Sequence, residues 1–132
     1  MRLPPYAELL GLSIEAGAGV PVLVMPFDEA RLSGRPGFLH GGAIGGLLEM
    51  AAIVALHHAL GDDGTRIKPV NLTVDYMRGG RAKATRAQGI IRRLGTRIAN
   101  VDATVWQDDP DKPIAAARQT FLLVRPSFPA SA

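Results

Sequence analysis

The stretch HGGAIGGLLEMAAIVAL, residues 40–56, decides the fold. After His40, every residue in it is glycine or apolar except Glu49. It is longer than an ordinary strand, glycines mark its start, and GDDG at 61–64 closes it, so it reads as one helix from Gly41 or Gly42 to about Ala59. A helix that is apolar on nearly every side must be covered on nearly every side. The rest of the chain therefore has to supply a sheet that curls around it. The lone carboxylate needs its own explanation, because burying a charged group costs several kcal/mol unless something pairs with it or uses it. Glu49 is the first place to look for chemistry.

Downstream, the apolar period switches to two. IKPVNLTVDYM (67–77) sets Ile67, Leu72, Val74 and Tyr76 against Asn71, Thr73 and Asp75. ATRAQGIIRRL (84–94), TRIANVDATVWQ (96–107) and PIAAARQTFLLV (113–124) read as three more strands, with turns at LGT (94–96) and DDPDK (108–112). Upstream, PPYAELLG (4–11) reads as a short helix, LSIEA (12–16) and VPVLVMPF (20–27) as a hairpin, and DEARLSGRPGF (28–38) as a loop. The sum is an α+β domain over residues 3–125, with an antiparallel sheet of five or six strands around one long helix. Residues 126–132, with two prolines among small residues, read as an unstructured tail.

A chain of 132 residues, 47% hydrophobic, suffices for one core and not for two. The longest apolar run, residues 50–56, falls short of the roughly 20 residues a membrane helix needs, so no membrane span is expected. The N-terminal MRLPPYAELLGL lacks the pattern of a signal peptide, and a cytoplasmic protein is expected. With no cysteine there is no disulfide, thiolate metal site or cysteine nucleophile, and no metal is expected. GxSxG, HExxH, P-loop and GxGxxG motifs are all missing.

The stretch GFLHGG (37–42), a carboxylate nine residues after the histidine, and a strand ending LTVDYMRGG (72–80) together resemble the hotdog-fold acyl-CoA thioesterases of the phenylacetate-pathway type. The resemblance covers roughly residues 5 to 125. It implies that Glu49 is nucleophile or general base and that the Gly41 amide polarises the thioester carbonyl. It also implies an acyl-CoA substrate, whose coenzyme A is part of the substrate and not a separate cofactor. The chain departs from the family pattern in lacking polar helpers: Gly34, Ile53 and Pro69 stand where relatives carry Asn, Ser or Thr, and Ser.

The chemistry is coherent without the family. Thioester hydrolysis needs a base or nucleophile beside the carbonyl and donors aimed at its oxygen. A helix N-terminus supplies free N–H groups and a favourable dipole, and glycines admit the substrate to the backbone, so Gly41 and Gly42 form a candidate binding site. His40 would hold the loop or position the carbonyl. Glu49 on an apolar face would make a better base near neutral pH than a surface glutamate. The alternative for Glu49 is a buried ion pair with an arginine.

Gly41 and Glu49 lie eight residues apart, roughly 12 Å along one helix, too far for one thioester to touch both. Two antiparallel helices from two subunits would bring them together. A homodimer with two shared sites is expected, paired again into a homotetramer. The net charge of +3 and the run Arg78, Arg81, Lys83, Arg86, Arg92, Arg93 and Arg97, with no acid among them, favour an anionic partner. No aromatics interleave that run, so a phosphorylated small ligand fits better than nucleic acid, with Arg78, Arg92 and Arg93 as first choices. Two other readings stay open: a β-hydroxyacyl thioester dehydratase or hydratase using His40 with Glu49, and a non-catalytic acyl-CoA-binding protein.

Overall fold

A computed structural model describes residues 3–17 and 19–127. Pro5, whose φ is already set for a helix, opens α1 (Pro5–Leu9), and Gly11 at φ 70° turns the chain out of it. β1 (Ser13–Glu15) and β2 (Val22–Met25) pair antiparallel, as expected of a hairpin. The segment expected to be a loop contains a helical turn, α2 (Glu29–Leu32). Asp28 creates it by accepting from the N–H groups of Ala30 and Arg31. The hydrogen bond from the Arg31 guanidinium at 2.7 Å holds the Asp28 carboxyl below its ordinary range.

The long helix α3 (Gly41–Leu60) follows and ends where Gly61 donates to the His57 carbonyl. Four strands complete the chain: β3 (Arg66–Tyr76), β4 (Thr85–Leu94), β5 (Ile98–Trp106) and β6 (Ala115–Val124). With β1 and β2 they form one six-stranded antiparallel sheet in the order β1-β2-β4-β5-β6-β3. This is the hotdog architecture, with α3 as the filling and the sheet as the roll.

The inner face of β3 changes parity, since Ile67 and Leu72 are both partly buried although five positions apart. A bulge between Pro69 and Asn71 absorbs the extra residue and leaves Val70 exposed. Pro69 cannot donate to a ladder, and β3 tolerates it as an edge strand.

By length and composition α3 does pass for a membrane helix, contrary to the sequence expectation, because its leucines, isoleucines, valine, methionine and alanines outweigh Glu49 and the glycines. Here the sheet covers it: residues 43, 44, 47, 48 and 50–56 are buried. Helix and sheet come close at Gly89 of β4, where a Cβ would stand 2.6 Å from both the Ala51 carbonyl oxygen and the Ala55 methyl. Gly89→Ala must push helix and sheet apart. It is expected to lose about 2 kcal/mol of stability, to be read from a urea melt. The expected tail at 126–132 falls outside the described residues from 128 onward; Pro126 and Ser127 are irregular and exposed.

Candidate active site

The loop before α3 is pinned from three directions, which fixes where the helix begins. Gly34 N–H donates to the Phe38 carbonyl at 3.0 Å, His40 N–H to the Leu32 carbonyl at 2.8 Å, and Leu39 N–H to the Gly80 carbonyl at 2.9 Å. Gly37, at φ 80°, makes the turn that this route needs. His40 is thereby delivered to the N-cap.

A helix start leaves four N–H groups without intrahelical partners. Here they belong to His40, Gly41, Gly42 and Ala43: His40 N–H is held by the Leu32 carbonyl, Ala43 donates to the His40 carbonyl at 3.0 Å, where Ile44 makes the first intrahelical bond, and Gly42 donates to His40 Nδ1 at 2.8 Å. Gly41 N–H alone has no partner among the described residues. Its peptide is trans, so with the His40 carbonyl turned into the helix this N–H points out from the positive end of the dipole. A donor so aimed stabilises negative charge developing on a carbonyl oxygen.

Of the two glycines expected to bind substrate, Gly42 therefore has its N–H already engaged. Its missing side chain serves His40, because a Cβ at 42 would lie 2.9 Å from Nδ1. Gly42→Ala should evict the imidazole from the cap, cost about 1 kcal/mol of stability and lower turnover. A thermal melt and a rate measurement on the same preparation check both effects. Accepting at Nδ1 puts the neutral imidazole's proton on Nε2, so His40 presents a donor to its surroundings.

Tyr76 was not foreseen in this role. Its hydroxyl donates to the Gly41 carbonyl at 2.8 Å, and its ring lies within 3.6 Å of a Cβ built at Gly41. At Gly45 a Cβ would sit 3.4 Å from the same hydroxyl. Gly46 faces the other way, where a Cβ would meet the Tyr6 ring at 2.9 Å. The sequence held half of this signal, since the alternation in β3 already put Tyr76 on one face with Leu72 and Val74.

Glu49 continues the stripe of Gly41 and Gly45, four residues further on, and is partly buried. It makes no side-chain hydrogen bond and no ion pair among the described residues. The buried-ion-pair alternative thus finds no partner among the described residues. One chain also keeps Glu49 roughly 12 Å from Gly41 along α3.

The arginines divide. Arg78, whose N–H donates to the Ile114 carbonyl, lies in the loop that packs on the helix entry. In the same region the Arg35 and Arg81 guanidinium groups lie 4.3 and 4.6 Å from the centre of the Phe38 ring, which stiffens that corner. Arg92 and Arg93 stand near the far end of β4, where Arg92 is paired with Asp102 at 2.7 Å. Within one chain the three arginines named from the sequence are not brought together. A cavity of about 420 Å³, lined by Tyr6, Leu9, Leu10, Leu32 and Ala43, opens beside His40 and Gly42.

The family model of the thioesterase superfamily matches residues 36–114, from the helix-entry loop to the approach to β6. A protein from Chromobacterium violaceum is 38% identical over 91% of this chain and 83% of its own, with a TM-score of 0.74. A phenylacetic acid degradation-related protein from Ralstonia eutropha JMP134 is 26% identical over 92% of each chain, with a TM-score of 0.77. A Bacillus halodurans protein solved with CoA shares the fold, at 21% identity over 94% of this chain and 81% of its own and a TM-score of 0.81. No curated protein matches the chain. With the family model spanning more than half the sequence, the chain belongs to the thioesterase superfamily and is, at that level, a thioester hydrolase.

Proposed function

We propose that this chain hydrolyses acyl-CoA thioesters, with Glu49 as general base or nucleophile and the Gly41 N–H polarising the carbonyl. The observation that carries this reading is the donor at the start of α3 that has no partner among the described residues, on the stripe that also holds a carboxylate without one among them. The two meet on one substrate when two copies pack antiparallel, Gly41 of one beside Glu49 of the other. An edge supports that packing: β3 is eleven residues long and bonded on one side only, to β6, with Val70 and Tyr76 more than half exposed. A bare strand of that length invites a second strand. Pairing β3 with β3 of a second copy extends the sheet and sets the two helices side by side.

Thiol release from a panel of acyl-CoAs tests the reading. Free thiol supports it. An enoyl product indicates a dehydratase, and tight binding with neither indicates a sensor. The dehydratase alternative needs His40 as a base, and an imidazole whose Nδ1 is engaged and whose Nε2 bears the proton is poorly set for that.

The arginines enter through the nucleotide. If they hold the phosphates of coenzyme A, KM for an acyl-CoA rises with salt, while a thioester lacking the nucleotide is indifferent. Arg78→Ala, at the helix-entry end, should raise KM for the acyl-CoA alone. A salt-insensitive KM would remove the arginines from the site.

A further inference from the structure

The peptide group between Gly41 and Gly42 is gripped at both of its polar ends by side chains. Its carbonyl accepts from the Tyr76 hydroxyl at 2.8 Å, and its N–H donates to His40 Nδ1, also at 2.8 Å. A chain of hydrogen bonds therefore runs from Tyr76 through one peptide group to the imidazole, and each bond in such a chain strengthens the next. Backbone satisfaction does not call for the first of them. The helix ladder already gives the Gly41 carbonyl the N–H of Gly45, so the hydroxyl takes its second lone pair. Tyr76 is 55% exposed, so burial does not force its hydroxyl onto a protein partner either.

Two consecutive glycines at a helix start are the residues least able to hold their own conformation. Gly41 nevertheless carries the donor on which the thioesterase reading depends, and such a donor works best when it is aimed before charge develops. The peptide on its N-terminal side is fixed, because the His40 carbonyl takes the N–H groups of Ala43 and Ile44. The peptide on its C-terminal side is the one held by Tyr76 and His40. The tyrosine has a firm base: it stands in register with Ala115 of β6, and the next residue, Met77, donates to the Ile114 carbonyl at 2.9 Å. Further along the same segment, the Gly80 carbonyl takes the N–H of Leu39 at 2.9 Å. β3 and its continuation thus hold the chain on both sides of His40, at Leu39 and at Gly41.

We propose that Tyr76 is a positioning residue for the carbonyl-polarising donor: its bond to the Gly41 carbonyl fixes the first turn of α3, so that the Gly41 N–H is aimed before substrate arrives. The inference rests on the thioesterase reading above and adds to it a group that acts on the donor rather than on the substrate. The Gly41 N–H is worth most when the carbonyl oxygen becomes an anion, so a loosened donor slows the chemical step and leaves binding nearly alone.

Tyr76→Phe keeps the ring and deletes the hydroxyl. The expected result, measured well below the melting temperature, is a kcat lowered roughly tenfold with KM within about twofold. Hydrogen exchange at the Gly42 amide, which lies on the same peptide, should speed up by about threefold or more in NMR while the core amides of α3 keep their rates. A merely structural hydroxyl would lower the melting temperature and leave the kcat of the folded enzyme unchanged, and that outcome overturns the proposal. So does an unchanged exchange rate at Gly42, a loss confined to KM, or a Phe variant that fails to fold. Thiol release by the wild type and its loss in Glu49→Gln test the thioesterase reading separately. If both hold and Tyr76→Phe is fully active, only the role of Tyr76 falls; a wild type that releases no thiol removes the reading and the proposal with it.

Discussion

Replacing Glu49 by Gln is expected to lower thioester hydrolysis at least 100-fold while the fold stays intact. The substitution keeps shape and polarity and removes only the basic oxygen. Because Glu49 makes no ion pair or side-chain hydrogen bond among the described residues, the stability change should stay within about 0.5 kcal/mol. A general base or nucleophile supplies at least a factor of 100, about 2.7 kcal/mol of barrier. What survives would be the part supplied by the Gly41 N–H and by binding, so KM should move less than kcat. Steady-state kinetics beside a thermal melt give both numbers. Near-wild-type turnover would make Glu49 a structural residue and remove the mechanism.

Elements with a sustained period were legible in the sequence. α3 and the strands β3 to β6 carry enough apolar repeats to declare themselves, and the glycines around 41 and 61 bracket the helix. α2 was missed because Asp28 in a run of loop residues looks like turn material, although an Asp just ahead of Glu-Ala-Arg-Leu is also what a cap looks like. The Val70 bulge was hidden in a nominal alternation that already changed parity between Ile67 and Leu72. For the site, Glu49 stood out as a charge in an apolar helix, and the GFLHGG stretch pointed to Gly41 and His40. Which glycine keeps a free N–H was invisible, because it turns on the rotamer of His40. Tyr76 is brought to the start of α3 by strand register, over a separation no local motif spans.

The central claim is that one site takes Gly41 from one subunit and Glu49 from the other, and a mixture of two inactive variants tests it. Gly41→Pro is the partner for Glu49→Gln, because proline deletes the N–H that meets the carbonyl and is tolerated at the first position of a helix. His40, at φ −67° and ψ 136°, already has the extended backbone required ahead of a proline, and a Cβ at 41 meets Tyr76 at an ordinary 3.6 Å. Each variant alone should be nearly inactive. In a mixed dimer one site carries both defects and the other carries neither. Random reassortment makes half the dimers mixed, each with half its sites intact, so co-refolded equal mixtures should recover roughly a quarter of wild-type activity if the sites act independently. Mixtures that stay as inactive as their parents, with mixed dimers shown to be present, would contradict the shared site.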